Sequence, residues 1–279
     1  MYKRLLSIIK ISRPLNVLIV FLTIIIAGFI CSKNNEIPPP VFLAALSASF
    51  IAAAGYIIND YFDIKIDKIN RPGRPLASGG ISIKSAIIFY FAFSLIGLIL
   101  GLKINTGVFA IAFFTEILLF IYSFKFKSIP LLGNLSVAFL TGLVFIYGGA
   151  SVNNISFAII PASFALIINL IREIVKDMED VEGDIKNGIV TFPYKFGFSA
   201  AKKFILLITI ILILFTSYPF IFKLYRIEYF IIVMSIVNPI FVYFLVSIYK
   251  NDSLANLNKL SFILKLNMIF GLSAIYLGK

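Results

Sequence analysis

The sequence contains no histidine and a single cysteine, Cys31, and both shortages restrict its chemistry. Without an imidazole, the chain has no histidine general base, no histidine metal ligand and no histidine to hold a haem iron. One cysteine forms neither an internal disulfide nor a thiolate cluster. Any metal must therefore be held by oxygen atoms, and oxygen ligands suit Mg²⁺, Mn²⁺ and Ca²⁺.

Charged residues are also scarce. They make up 14% of the 279 residues, whereas a soluble domain carries about 25%. Hydrophobic residues make up 60% of the chain, and they form runs of about 18 residues or more, each long enough for a membrane-spanning helix. The first run, near Leu15, lacks a small-residue cleavage site and is followed by further runs, so we do not expect a removed signal peptide. The sequence predicts an all-α, polytopic membrane protein with one domain over residues 1–279.

Nine runs are predicted to be transmembrane helices, because they are too long to be strands. Their bounds are about 15–32, 40–62, 85–102, 105–124, 132–150, 156–175, 203–223, 228–249 and 260–278. Most connections are short and polar. Two connections are longer, at about 63–84 and about 176–202.

The distribution of lysine and arginine predicts how these helices are oriented. If the N-terminus is cytoplasmic, the outer segments hold five of the 25 basic residues, and the cytoplasmic segments hold the other 20. The five outer residues are Lys33, Lys103, Lys223, Arg226 and Lys279. Such an excess marks the cytoplasmic side, and nine crossings then place the C-terminus outside. The net charge of +12 is thereby explained by topology and by attraction to anionic lipid, and nucleic-acid binding is not expected.

Nine of the 13 acidic residues lie in two clusters on this predicted cytoplasmic side. The cluster after the second span contains Asp60, Asp63 and Asp67, and the cluster after the sixth span contains Glu173, Asp177, Glu179, Asp180, Glu182 and Asp184. In a helix, the spacing i, i+4, i+8 places Asn59, Asp63 and Asp67 on one face, and i, i+3, i+7 does the same for Asp177, Asp180 and Asp184. We expect Gly183 to fray the second of these helices.

Carboxylates this close repel one another unless a cation neutralises them. Mg²⁺ usually takes one or two protein carboxylates and completes its shell with water and phosphate oxygens, so a phosphorylated ligand is expected. Nearby cations suited to its remaining oxygens are Arg71, Arg74, Lys125, Lys127 and Arg172.

A solvated loop with ion pairs is the alternative interpretation of these charges. We prefer it for Lys65, Lys68, Glu179, Glu182 and Lys186. The solvated-loop interpretation does not suit Asn59, Asp60 and Asp63. These residues directly follow the apolar run AAAGYII, so they lie at the membrane boundary, where ionisable groups are costly.

Two motifs resemble those of the UbiA superfamily of intramembrane prenyltransferases. The first, N-D-x-x-D-x-x-x-D, is formed by Asn59, Asp60, Asp63 and Asp67, and the second, D-x-x-x-D, by Asp180 and Asp184. The flanking segments NRPGRPLASG (70–79), YSFKFK (122–127), GN (133–134) and GIVTFP (188–193) are also similar. Within the family, REIVKDMEDVEGD (172–184) is similar to the archaeal ether-lipid branch.

This resemblance implies nine helices around a central cavity, with two halves of four helices and a ninth that closes the ring. It implies transfer of a geranylgeranyl group from its diphosphate to the secondary hydroxyl of geranylgeranylglyceryl phosphate, with Mg²⁺, expected as two ions. The implied metal ligands are Asn59, Asp63, Asp180 and Asp184, of which the three aspartates are also counted as catalytic.

The same resemblance assigns residues to the substrates. Tyr122 is expected to position the diphosphate or shield the allylic cation. The implied substrate-binding residues are Arg71, Arg74, Lys125, Lys127, Arg172, Asp60, Asp67 and Asp177, the aspartates also as part-time metal ligands. With no histidine present, an aspartate or the departing diphosphate must take the acceptor's proton.

Several alternatives stay open at this point. The acceptor could be aromatic, such as 4-hydroxybenzoate. In a different class, the chain could be a transporter, since Pro161, Pro219 and Pro239 interrupt spans, or an isoprenoid-binding protein. Glu116 falls in the middle of the fourth span. It is either functional or a polar contact to Asn134 or Asn169, and we weigh these equally.

Overall fold

The structure is a computed structural model that describes residue 7 and residues 9–32, 36–186 and 190–279. Within this described part every regular element is helical. Part of the segment GIVTFP lies outside it, as do Lys3, Arg4 and Lys33, which were counted for the orientation.

Nine helices in the described residues are long and apolar enough to cross a membrane, as predicted. The helices are α1 (Pro14–Cys31), α2 (Pro39–Phe62), α3 (Ile64–Asn70), α4 (Ile83–Ile104), α5 (Thr106–Phe124), α6 (Leu132–Ser151), α7 (Ile155–Lys186), α8 (Phe192–Ile221), α9 (Ile227–Ile232), α10 (Asn238–Lys250) and α11 (Leu254–Gly278). The short α3 is no span. One span, Ile227–Lys250, is built from α9, a π-helical turn over Val233–Val237 and α10. The turn precedes Pro239, which lacks the N–H that a regular helix would use.

Two predicted boundaries around the second acidic cluster are wrong. The sixth span ends at Val181 rather than near residue 175, and its helix α7 continues to Lys186 without fraying at Gly183. The next helix begins at Phe192 rather than near residue 203. Polar residues prolong these helices beyond the apolar run, since the backbone bonds of a helix do not require a membrane. Inside α8, Gly197 has a φ of 82° and produces a kink that glycine adopts readily.

The chain forms two compact units. The first unit comprises Met1–Lys127 and Leu143–Ala158, and the second comprises Ser128–Gly142 and Ile159–Lys279.

In the first unit, α2 is the helix against which the others pack. A Cβ atom at Gly97 of α4 would lie 2.7 Å from Ile51 Cγ1 and 3.1 Å from the carbonyl oxygen of Ser47, so only glycine permits this approach of α4 to α2. The Ser47 hydroxyl donates to the Gly97 carbonyl at 2.6 Å and also hydrogen-bonds the hydroxyl of Tyr147 on α6 at 2.6 Å. These contacts fix the helix whose end carries the first acidic motif.

In the second unit, a polar group joins α8 to the span Ile227–Lys250. The amide of Asn238 donates to Thr216 Oγ1 at 3.1 Å, and the Tyr229 hydroxyl donates to the Thr216 carbonyl at 2.8 Å. Asn267 of α11 donates to the carbonyl of Val237 in the π-helical turn at 3.2 Å. Side chains therefore satisfy backbone groups within the membrane, as an apolar solvent requires.

Glu116 lies buried in α5, with 7% of its surface exposed. The Ser94 hydroxyl lies near its carboxyl group, but neither carboxylate oxygen is within hydrogen-bonding distance of a partner among the described residues. The two asparagines that were considered as its partners donate elsewhere. Asn134 donates to Asp177 at 2.8 Å and Asn169 to Thr141 at 3.0 Å.

We expect the substitution Glu116→Leu to stabilise the protein. Each buried polar group without a partner costs about 1–3 kcal/mol, and a gain of this size raises the Tm of a chain this large by roughly 2 °C or more. Thermal unfolding in detergent measures the shift, and Glu116→Gln, which keeps polar atoms buried, should gain less. A lower Tm for Glu116→Leu would show that the carboxyl has a partner, and lost turnover at an unchanged Tm would make Glu116 functional.

Candidate active site

Asp60 of the first acidic motif is held by two arginines. It lies at the end of α2 with 2% of its surface exposed. Its Oδ1 accepts hydrogen bonds from Arg13 Nη2 at 2.5 Å and from Arg74 Nη1 at 3.1 Å. The guanidinium of Arg13 also lies 4.9 Å from the ring centre of Tyr56. Because a buried carboxylate without a counter-ion is costly, these two cations allow Asp60 to be buried.

Arg74 also reaches the last aspartate of the motif. Its Nη1 donates to Asp67 Oδ2 at 2.6 Å, and Asp67 is buried with 5% of its surface exposed. One guanidinium therefore bridges Asp60 and Asp67. Asp63 is paired separately, with the ammonium of Lys127.

The expected row of Asn59, Asp63 and Asp67 along one helix face is wrong in part. The helix α2 ends at Phe62, and Asp63, with φ −89° and ψ 0°, separates it from α3. The N–H of Asp67 still donates to the carbonyl of Asp63 at 2.8 Å, but its carboxylate turns to the guanidinium that it shares with Asp60. Asn59 is half-buried, and its amide forms no hydrogen bond within the described part of the chain.

The segment 71–82 brings Arg74 to these carboxylates. After α3 the backbone turns, with the Arg74 N–H donating to the Arg71 carbonyl at 2.9 Å. Leu76 and Ile81 then bury in a cluster with Ile57 of α2. Apolar burial on both sides of the turn thus fixes the backbone that carries Arg74.

The second acidic motif lies on α7 and is neutralised much less. Asp177 accepts a hydrogen bond from the amide of Asn134 at 2.8 Å, a neutral partner. Asp180 is exposed and Asp184 is half-buried, and neither forms an ion pair or hydrogen bond with the described residues. Burial, together with the nearby carboxylate of Asp180, raises the pKa of Asp184 to about 6. Glu173, one turn before Asp177, pairs with Arg172 at 3.2 Å.

The five cations predicted to bind phosphate fall into two groups. Arg74, Lys127 and Arg172 are in ion pairs. Arg71 and Lys125 are exposed and have no ion pair within the described residues. Tyr122 is half-buried near the end of α5.

The donor atoms of both motifs suit Mg²⁺. Asn59, Asp63, Asp180 and Asp184 offer only amide and carboxylate oxygens, which hard divalent cations prefer. Asp180 and Asp184 repel each other without a counter-ion, and a divalent cation removes that repulsion. Among the described residues, no three acidic or cysteine side chains lie close enough together to hold a metal by themselves.

Sequence reasoning missed two partners of the aspartates. Arg13 was counted only as a cytoplasmic charge, although it directly precedes the first span on the predicted side of both motifs. Asn134 was noticed only within the flanking GN segment and as a possible contact of Glu116. The available signal was an amide at the predicted cytoplasmic start of the fifth span, on the same side as both carboxylate clusters.

Three comparisons with known proteins place the chain in a family. The model of the UbiA prenyltransferase family matches residues 20–269. A digeranylgeranylglyceryl phosphate synthase of Methanobrevibacter smithii is 38% identical over 97% of this chain and 96% of its own length. A solved structure described as giving "structural and mechanistic insights into the biosynthesis of Digeranylgeranylglyceryl phosphate synthase in membranes" is 34% identical, with a TM-score of 0.89 over 100% of this chain and 99% of that one.

A more distant solved structure is that of a UbiA homologue of Archaeoglobus fulgidus bound to GPP and Mg²⁺. It is 21% identical to this chain and shares its fold. The TM-score is 0.70 over 97% of this chain and 99% of that one. The predicted all-α UbiA fold is thereby confirmed. Because the family model covers most of the sequence and both motifs, the chain belongs to the UbiA prenyltransferase family.

Proposed function

We propose that this protein transfers a geranylgeranyl group from geranylgeranyl diphosphate to the secondary hydroxyl of geranylgeranylglyceryl phosphate. This reaction makes the second ether bond of an archaeal membrane lipid. The observation that carries the proposal is the pair of intact acidic motifs, in a chain whose relative at 38% identity is a digeranylgeranylglyceryl phosphate synthase. Family membership also favours a transferase over the transporter and the binding protein considered from the sequence.

The proposed metal is Mg²⁺, as two ions, with Asn59, Asp63, Asp180 and Asp184 as ligands. When bound, Mg²⁺ offsets the negative charge that develops on a departing diphosphate. The Archaeoglobus fulgidus homologue, described with GPP and Mg²⁺, supports this choice of metal. We propose that both units act together as one prenyltransferase domain over residues 1–279.

The cations around the motifs are proposed to have two tasks. Arg13 and Arg74 organise the first motif, because both already bond Asp60, and Arg74 has this task in addition to its expected contact with substrate. Arg71 and Lys125, which are exposed and have no ion pair in the described part, are the best placed to bind phosphate oxygens. The remaining proposed substrate residues are Lys127, Arg172, Tyr122, Asp60, Asp67 and Asp177.

The chemical step breaks the bond between C1 of the prenyl group and its diphosphate oxygen, and it forms a bond between C1 and the acceptor oxygen. The acceptor hydroxyl loses its proton in this step. No histidine is present to receive it, so a carboxylate of the motifs or the departing diphosphate is the proposed base. The chain itself positions both substrates and stabilises charge where it develops.

The first test concerns the metal ligands. Asp180→Asn and Asp184→Asn should each lower turnover at saturating Mg²⁺ by about 10²-fold or more, the loss typical when charge stabilisation is removed. Both variants should have a Tm equal to or above that of wild type, because neither carboxylate has a partner in the described residues and each substitution removes the repulsion between them. Asp63→Ala should lose activity similarly, and EDTA should abolish the wild-type reaction.

The matched control for these variants is Asp252→Asn, a surface aspartate paired with Lys202 at 2.6 Å. It should keep normal turnover, because it belongs to neither motif. Turnover of radiolabelled geranylgeranyl diphosphate measures all variants. Near-normal activity of either Asp180→Asn or Asp184→Asn would remove that residue from the proposed metal site.

The second test concerns the acceptor. The purified protein should prenylate geranylgeranylglyceryl phosphate and leave the same lipid without its phosphate unmodified. Neutralising Arg71 or Lys125 should raise the KM for this acceptor far more than the KM for the prenyl diphosphate, because binding to one substrate alone is lost. Product from 4-hydroxybenzoate and none from the glyceryl phosphate would leave the family intact but defeat the proposed acceptor.

The third test concerns orientation. The protein is a multi-pass membrane protein, and we propose that both motifs face the cytoplasm because most lysines and arginines lie on their side. On intact cells an impermeant thiol reagent should label Lys279→Cys but not Lys65→Cys, and the buried Cys31 should not react. Permeabilised cells, in which both variants should react, are the control. Labelling of only Lys65→Cys on intact cells would invert the orientation.

A further inference from the structure

A basic cavity lies in the second unit, at the turn between α8 and the span Ile227–Lys250. Its volume is about 580 Å³, and the residues that line it include the cations Lys223, Arg226 and Lys279. These are three of the five basic residues assigned to the outer side by the charge count. Basic residues are sparse on that side, yet three of them meet at one cavity.

The cavity lies at the opposite end of α8 from the second acidic motif. Asp184 is close to the start of α8 in sequence, and Lys223 follows its end at Ile221. Beyond the kink at Gly197, the remaining 24 residues rise about 36 Å at about 1.5 Å per residue, more than the roughly 30 Å hydrocarbon core. The cavity therefore belongs to the membrane surface opposite the proposed prenyl-transfer chemistry.

The turn that carries the cations is rigidly built. Lys223 has a φ of 56°, and its N–H donates to the Phe220 carbonyl at 3.0 Å, while the N–H of Leu224 donates to the Pro219 carbonyl at 2.8 Å. This is the Schellman arrangement that ends many helices, and its left-handed position is usually occupied by glycine. A lysine at that position strains the backbone, and such strain is often retained where the side chain has a function.

The next cation is fixed from a second helix. The N–H of Arg226 donates to the carbonyl of Gly278 at 2.7 Å. A Cβ atom at Gly278 would lie 2.3 Å from Tyr229 Cβ, so the end of α11 packs directly against the start of the neighbouring span. The backbone positions of Lys223 and Arg226 are therefore set by main-chain contacts, and their side chains stay available.

The surroundings of the cavity are those of a lipid contact. Lys223 and Arg226 are exposed and form no ion pair with the described residues; the acid closest in sequence, Glu228, is also exposed. Next to them, Ile221 is 66% exposed and Phe222 is 62% exposed. Large exposed apolar groups beside cations suit the boundary between lipid tails and headgroups.

We propose that this cavity binds the phosphate group of an anionic membrane lipid. Arg226 supplies a planar donor suited to two phosphate oxygens, Lys223 supplies a second positive charge, and Lys279 lines the same space. The exposed apolar side chains next to the cavity contact the first carbons of the lipid tails. Basic residues close to a membrane surface are attracted to anionic lipid headgroups by their charge. The site is independent of the proposed transfer reaction.

Native mass spectrometry of the detergent-solubilised full chain, with added dioleoyl phosphatidic acid, tests the proposal. Wild type should retain this lipid and not dioleoyl phosphatidylcholine, and the double variant Lys223→Gln/Arg226→Gln should bind phosphatidic acid at least tenfold more weakly. The control Lys250→Gln/Lys265→Gln loses the same charge from two other exposed positions of the same unit and should bind as wild type does. Equal retention by wild type and the Lys223→Gln/Arg226→Gln variant overturns the proposal.

A second variant separates binding from folding. Lys223→Gly removes one cation but relieves the left-handed strain, so its Tm should equal or exceed that of wild type while phosphatidic acid binds more weakly. Unchanged binding in this variant counts against Lys223.

Competition with inorganic phosphate distinguishes a lipid headgroup from free phosphate as the ligand. If the site binds lipid, millimolar phosphate should not displace phosphatidic acid. Full displacement would show a site for free phosphate and overturn the lipid assignment.

Discussion

An ionised side chain at a membrane boundary must be neutralised, and the first unit meets this constraint through Arg74. Its guanidinium bonds both Asp60 and Asp67, and Arg13 supplies a second cation to Asp60. Removing one partner of a buried ion pair costs about 3–5 kcal/mol. The segment 71–82 is thus held against the end of α2 by charge as well as by apolar burial.

The second motif is built in the opposite way. Asp180 and Asp184 have no cationic partner in the described part of the chain, and the pKa of Asp184 is raised by burial and by its neighbour. Carboxylates that the chain itself does not neutralise repel each other until a cation binds, and this contrast between the motifs supports the proposal that Asp180 and Asp184 are metal ligands. The basic residues differ in the same way: Arg74 forms ion pairs, whereas Arg71 forms none within the described residues.

The spans were predictable because membrane helices follow from hydrophobic length alone. The two acidic motifs were also visible in the sequence, but the ion pairs of their aspartates were not predictable. Equal spacing suggested that Asp67 would continue the row of Asp63, whereas the ion pair with Arg74 turns it towards Asp60. That pairing depends on a loop folding back onto α2, and helical periodicity holds no information about such a tertiary contact. The expected fraying of α7 at Gly183 was wrong, because the helix continues through this residue to Lys186.

Exposed lysines without partners are common and cost little, because water solvates them. Two features distinguish the unpaired charges that carry the proposals. Asp184 is half-buried, so its charge is poorly hydrated, and Lys223 occupies a left-handed backbone position that glycine would take without strain. The partial burial of Asp184 and the left-handed backbone of Lys223 each cost free energy. At each of the two proposed sites, binding of a ligand of opposite charge would offset that cost. Asp184 precedes the start of α8 and Lys223 follows its end, so the two charges are proposed to meet ligands at opposite membrane surfaces.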